Sequence, residues 1–298
     1  MSPLFKDLGV GVGLRPTHRP MFQNQPPTSV KWVEVISENF MAWERAGYGQ
    51  SLIDLTQIRK NFPVSLHGVS LNLGSVDQVN TQYLSRLKQL VDQIEPVIIS
   101  DHLSWTGING EVLHDLLPIP YTQEALEHIA SKIDQVQNKL GRRILIENPS
   151  TYLEFKNSEM SEVEFIRQVL SKTDCGLLLD INNIYVNSVN HGFDPRMYLQ
   201  NIPGERIGQI HLAGHSDMGG YLIDTHNAPV CNEVWDLFQY SIELFGTKST
   251  MIERDDNIPE WNELEIELLK IGGIRDESIK SSRDTESFSF FNSSSANL

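Results

Sequence analysis

The feature that most constrains this chain is an alternation. Eight short apolar runs, at 8–14, 32–36, 64–69, 97–100, 144–147, 175–180, 207–212 and 250–253, are separated by longer segments. Four of those segments, 79–94, 122–140, 161–171 and 233–245, repeat apolar residues at helical spacing. Thr122 and Ser161 stand where helix N-caps belong, and Gly141 and Gly246 where helices stop. Continuous apolar runs suit strands buried on both faces, which is the condition of a parallel sheet between helices. Eight such units within about 250 residues favour a closed barrel over an open sheet. The expected fold is therefore α/β: a single-domain TIM-type (β/α)8 barrel over 1–272. Residues 273–298, rich in serine and without periodicity, are expected to form a disordered tail.

Polar residues fall on this frame in an ordered way. His67, His102, Glu147, Asp180, His211 and Glu253 lie at or just past the C-terminal ends of six of the eight runs. In a barrel those ends ring one mouth, where barrel active sites lie. Asp is also a common strand terminator and helix N-cap, so Asp180 has an ordinary alternative role; His67, His102 and His211 do not. The stretch 209–226, QIHLAGHSDMGGYLIDTH, adds His215, Asp217, Asp224 and His226 to His211, with Gly219-Gly220 as a candidate hinge. Asp224 and His226, two apart, share a face if extended.

The expected metal ligands are His67, His102, Glu147, Asp180, His211, Asp224, His226 and Glu253, with Asn183 and His215 as possible members. His215 and Asp217 are expected to be catalytic, His215 as a proton carrier. A mononuclear catalytic site uses about three protein ligands, so this set implies two or three ions, with carboxylates such as Glu147 bridging. Mixed imidazole and carboxylate without thiolate suits iron, manganese or zinc, and spacing does not choose among them. Glu34 and Glu38 could support the ligands, as could the amides of Asn148 and Asn182. His114 and His128 read as structural. The Gly-rich run 9–13 lacks the Walker lysine and the dinucleotide fingerprint, and no GxSxG occurs.

Composition narrows the partners. The formal net charge is −15, which weighs against nucleic acid or an anionic membrane. Two cysteines give no disulfide framework, no run of 18 apolar residues occurs, and the N-terminus lacks the apolar core of a signal peptide. A cytoplasmic protein is expected.

Together GVGLRPTH, WVEVISENF, SLHGVSLNLGS, ISDHLSW, DLLPIPYTQEAL, ILIENPSTYL, CGLLLDINNIYVNSVNHGFDP, IHLAGH, IDTH and MIERDDNIP closely resemble the DUF692 (UPF0276) family, over roughly 8–270. That family includes the methanobactin biosynthesis protein MbnB and is grouped as multinuclear non-haem iron-dependent oxidases. The resemblance implies a TIM-type barrel with two or three irons, held by His67, His102, Glu147, Asp180, Asn183, His211, Asp224, His226 and Glu253. It implies an O2-dependent modification of cysteine residues in a ribosomally made precursor peptide, to oxazolone and thioamide in characterised relatives. It also implies a small partner protein that recognises the peptide leader. Asp101 stands where Glu is expected, and Asn227 where Gly is common. Two other readings of the residues are a zinc or manganese hydrolase or sugar isomerase, and a metal-dependent binding or scaffold protein.

Overall fold

The structure, a computed structural model, describes residues 4–41 and 48–294. Eight parallel strands close into a barrel: β1 (Val10–Gly13), β2 (Trp32–Ile36), β3 (Val64–Gly68), β4 (Ile98–His102), β7 (Leu145–Glu147), β8 (Gly176–Asp180), β9 (Ile207–Leu212) and β12 (Ser249–Ile252). Each matches one expected apolar run. The first strand pairs with both β2 and β12, which completes the circle.

Side chains two apart on a strand share a face, and this fixes the barrel interior. Ile98, Leu145 and Leu178 pack together at the N-terminal end, with Phe5 and Leu8 against them. Two residues further on, the same strand faces carry Ser100, Glu147 and Asp180; two further again on β4 comes His102. The interior thus grades from apolar to ionisable along the strands. Gly11 shows how tightly the wall is built. The Trp32 ring, fully buried and bonded through Nε1–H to the Gly9 carbonyl at 3.1 Å, lies where a Gly11 Cβ would come within 2.2 Å of it. Gly11→Ala is expected to destabilise the protein by about 3 kcal/mol through overpacking. An unchanged melting temperature in calorimetry would contradict this.

The helices pack their apolar stripes on the outside of the barrel. α4 (Gln123–Leu140) buries Leu126, Ile129, Ile133, Val136 and Leu140, spacings of three and four that keep one face inward. Each such burial contributes about 1.5–3 kcal/mol. Thr122 Oγ1 accepts from Ala125 N–H at 3.2 Å, and Gly141 takes the left-handed conformation that ends the helix. α5 (Glu162–Thr173) is capped in the same way by Ser161. α3 (Thr81–Ile94) and α8 (Asn232–Phe245) fall where helical spacing places them. α1 (Arg19–Asn24), α2 (Tyr48–Ile58) and α7 (Pro195–Gln200) fill other connections between strands.

Two antiparallel hairpins rise from the barrel. β5 (Trp105–Ile108) and β6 (Glu111–Leu117) follow β4; β10 (Ser216–Asp217) and β11 (Leu222–Ile223) follow β9. Asn109 and Gly110 between the first pair both have positive φ, 54° and 80°, as a tight hairpin turn demands. Gly219 and Gly220 form the turn of the second.

The expected boundary between barrel and tail lies at 272/273. The final helix, α9 (Trp261–Ser294), runs straight through it. Leu264, Leu268, Ile271 and Arg275 are buried along one face, and Arg275 donates to the Lys248 carbonyl and to Asp7 at 2.7 Å. A helix nucleated by a packed first half extends at little cost into a serine-rich sequence with no stripe of its own. Residues 295–298 of the expected tail lie outside those described. Among the described residues, no helix is long and apolar enough to cross a membrane.

Candidate metal centre

The graded interior delivers its ionisable residues to one place. Three groups each bring ligand atoms within reach of one ion: His67, His102 and Glu147; Glu147, Asp180, His211 and Glu253; and His226, Glu253 and Asp255. Glu147 belongs to the first two groups and Glu253 to the last two, so the three groups form one connected centre. Glu147 Oε2 lies 3.2 Å from His67 Nε2 and 3.3 Å from His102 Nε2, and Oε1 lies 3.7 Å from His211 Nδ1. Glu253 Oε2 lies 3.0 Å from His211 Nδ1 and 3.4 Å from His226 Nδ1.

Each imidazole has one nitrogen held from behind and the other turned to a carboxylate. His67 Nδ1 meets Ser100 Oγ at 2.8 Å, and His102 Nδ1 donates to the Gly68 carbonyl at 3.1 Å. His211 Nε2 donates to Glu34 Oε1 at 2.9 Å, which leaves Nδ1 bare towards Glu253, Glu147 and, at 4.0 Å, Asp180 Oδ2. Gln209 Nε2 crowds the same His211 nitrogen at 2.7 Å but is a donor, so Glu34 is the acceptor. Gln209 instead donates to Glu34 Oε2 at 2.6 Å, as does Ser65 Oγ at 2.8 Å. A carboxylate behind a histidine sets its tautomer and raises its basicity as a ligand.

The electrostatics are those of a site in need of cations. Burial pushes the Glu147 carboxyl up, but the facing His102 and His67 outweigh burial and bring it down to about 2. Glu253 is opposed by burial in the same way and held well below the carboxylate range by His211 and His226. Burial disfavours the His211 and His226 cations, yet Glu34 and Glu253 around the first, and Asp224 and Glu253 around the second, raise both well above the imidazole value. Asp180 moves the other way, raised by burial and by the Glu147 and Asp224 carboxylates. Buried carboxylates of this density require compensation. Protons on the histidines supply it here, and divalent ions would supply it by displacing them.

The pattern of unpaired atoms fits that reading. Glu147 Oε2, Asp180 Oδ2, Asn183 Oδ1, His211 Nδ1 and His226 Nε2 are all buried without a hydrogen-bond partner. An unpaired buried polar group costs about 1–3 kcal/mol. The Glu147, Asp180 and Asn183 oxygens offer lone pairs to a cation directly, and the two imidazole nitrogens would offer theirs once deprotonated. The donor set is nitrogen and oxygen only, as iron, manganese or zinc sites accept. Cys175 is buried away from it, its thiol pushed up to about 12 by burial.

Most of the expected site residues converge here. Asp180 has both its roles at once: Oδ1 caps α6 (Ile181–His191) through Asn183 N–H at 2.6 Å, and Oδ2 faces the centre. Asn183 is held by its Nδ2 donating to the Asn148 carbonyl at 3.1 Å. Asp224 Oδ1 lies 2.6 Å from His226 Nε2, and Asn182 Nδ2 donates to that oxygen at 2.7 Å. His215 Nδ1 contacts Asn182 Oδ1 at 2.8 Å, so Asn182 links it to the centre. Asp217 does not join it. It is exposed on β10, and its Oδ1 accepts from Gly219 N–H at 2.8 Å, the chemistry of a turn. His128 binds the Ser75 carbonyl at 2.7 Å, remote from the ligands. Arg15 and Asp255 were not foreseen at the site. Asp255, two residues past Glu253 in ERD, carried the only local hint.

Fold and centre together define a TIM-barrel enzyme with a candidate multi-ion site at the C-terminal mouth of its strands. The model of the family described as "RiPP precursor modification enzyme MbnB/TglH/ChrH" matches residues 9–276, and the chain belongs to that family. It is 48% identical over 256 residues to a UPF0276 protein of Acaryochloris marina, covering 86% of this chain and 91% of that one. A UPF0276 protein of an Anaeromyxobacter species is 51% identical over 253 residues, covering 85% and 87%. Among solved structures, an L-ribulose 3-epimerase superposes with a TM-score of 0.58 at 11% identity, covering 94% of this chain and 98% of that one. Endonuclease IV from Thermus thermophilus gives 0.56 at 13% identity, covering 92% and 99%. These last two show the shared barrel and nothing finer.

Proposed function

We propose that this chain is a multinuclear iron, O2-dependent oxidase that modifies cysteine residues of a ribosomally made precursor peptide, acting in the cytoplasm. The observation that carries the reading is the sharing of Glu147 and Glu253 between neighbouring ligand groups. A carboxylate shared in this way suits two or three ions held side by side. The ligands are His67, His102, Glu147, Asp180, Asn183, His211, Asp224, His226 and Glu253. Iron held there would supply one-electron chemistry with dioxygen and an open position for a substrate thiolate.

The protein's own residues do the rest. Ser100, the Gly68 carbonyl and Glu34 orient the imidazoles. Asn182 joins His215 to Asp224, so His215, half-buried at the rim, is placed to carry a proton between solvent and the mouth. Asp217 is proposed only as a residue that shapes the β10–β11 turn beside His215. The family's description supports a precursor peptide as substrate, and a small leader-recognising protein completes the proposed system.

The test is anaerobic loading with iron(II), then addition of oxygen, a Cys-containing precursor peptide and the small partner protein. A mass change confined to the peptide's cysteines is the expected result. Equal turnover without oxygen, or with zinc or manganese alone, would replace the reading by a hydrolase or isomerase. Binding of the peptide with no turnover under any metal would leave a scaffold protein.

A further inference from the structure

The motif GLRPTH ends β1, and the ligand groups make no use of it. Its arginine nevertheless reaches the centre. Arg15 is nearly buried, and its guanidinium makes three contacts on the segment after β12. Nε donates to the Arg254 carbonyl, Nη2 donates to Asp255 Oδ1, and Nη2 lies 3.7 Å from Glu253 Oε1. Each of those carboxylates gives its outer oxygen to Arg15 and turns the other to His226 Nδ1. Asp255 Oδ2 lies 3.1 Å from that nitrogen and Glu253 Oε2 3.4 Å. His226 Nε2 is then the bare nitrogen, buried without a hydrogen-bond partner and 2.6 Å from Asp224 Oδ1.

We infer that Arg15 and Asp255 are positioning residues: Arg15 holds Asp255, and Asp255 engages His226 Nδ1 so that Nε2 is left to face Asp224. The inference rests on the proposed multi-ion centre and assigns Asp255 a place behind a ligand, though it could itself reach an ion.

Three observations favour the supporting role. Glu34 stands behind His211 in the same relation, one nitrogen engaged and the other bare. The Asp255 side chain is 48% exposed, while Glu147, Asp180 and Glu253 are at most 5% exposed, so it stands at the rim. Both its oxygens are already engaged, Oδ1 by Arg15 and Oδ2 by His226. A half-exposed aspartate has many rotamers; a guanidinium fork anchored on a backbone carbonyl selects one.

The experiment counts ions per chain and measures the affinity of each by anaerobic titration with iron(II), and with cobalt(II) read by its d–d absorption. Arg15→Met and Asp255→Ala are each expected to weaken one ion of the set by about 10–100-fold, the usual cost of removing a group behind a ligand. The remaining ions should keep their affinity. Asp255→Asn keeps an acceptor for His226 Nδ1–H and should retain that ion within about tenfold. In the double variant Arg15→Met/Asp255→Ala the loss should not exceed that of either single change. Asp255→Asn failing as badly as Asp255→Ala would make Asp255 a ligand and overturn the inference. Full affinity in Arg15→Met, with the fold checked by circular dichroism, would also overturn it. A wild-type chain that binds one ion or none defeats the multi-ion reading itself, a different and separable result.

Discussion

Glu147→Gln is expected to strip two ions from the centre and to lower peptide turnover by at least roughly 10³-fold, about 4 kcal/mol of lost transition-state stabilisation. Glutamine keeps the volume and the buried position, so the change isolates the charge. Glu147 is the one carboxylate common to the group with His67 and His102 and the group with Asp180, His211 and Glu253. Its Oε2 serves both first-group imidazoles from 3.2 and 3.3 Å, and no other acid in that group can replace it. The same substitution leaves His67 Nε2 and His102 Nε2 facing an amide that cannot balance a cation. Elemental analysis of the anaerobically loaded variant should show the deficit, and mass spectrometry of the peptide the lost turnover. A full metal complement with wild-type turnover would sink the bridging role. Glu147→Asp, a methylene shorter, should fall between the two, because it keeps the charge and loses the reach to both groups at once.

What could be read from the chain follows from where each residue sits in the barrel. The eight strands were visible because both their faces are buried, so each is a continuous apolar run. The ligands at their ends were visible because strand alternation carries an inward position such as Leu145 to the next inward position, Glu147. Glu34 was only half visible. A single acid within WVEVI signals a buried charge, but its partner His211 lies far along the chain, five strands later in the barrel. Arg15 and Asp255 have no periodic signature. They meet only because β1 closes the barrel against β12, pairing Val10 with Thr250 and Val12 with Ile252. Asn109-Gly110 carries a hairpin signal, but β6 is exposed and lacks the alternation that marks a half-buried strand. Asp217, expected to be catalytic, stands before a glycine turn and accepts from Gly219 N–H, a contact that spacing alone does not separate from a site role.

Removing the metal should make the protein's stability turn on pH in a definite direction. His211 and His226 are raised in the fold, so each contributes stability below the unfolded value of about 6.5 that is lost as pH rises through its folded value. His67, raised in spite of burial by Glu147 and Glu34, acts in the same sense. Glu147 and Glu253 are lowered. They contribute above the unfolded value of about 4.3, and that contribution is lost as pH falls through their folded values, about 2 for Glu147. Asp180 opposes them, since a raised carboxyl costs stability once pH exceeds its unfolded value. His102, lowered chiefly by burial, weighs against the acid side. On the alkaline side the balance is one-sided: as the histidines lose their protons, Glu34, Glu147 and Glu253 are left as buried anions without counter-charge. Bound ions need those same histidines deprotonated, so their affinity rises over the same interval. Metal-free protein should therefore melt at progressively lower temperature as pH rises above about 6.5, and the loaded protein should not. A bound ion at a thousand times its dissociation constant adds about 4 kcal/mol. At about 2–4 °C per kcal/mol, the gap should approach the order of 10 °C at the alkaline end. Calorimetry on chelated and anaerobically reloaded samples across that range measures it directly. A gap that stays level or narrows as pH rises would mean that the buried acids and imidazoles compensate one another without metal, and that the centre is a structural ion-pair network rather than a cation site.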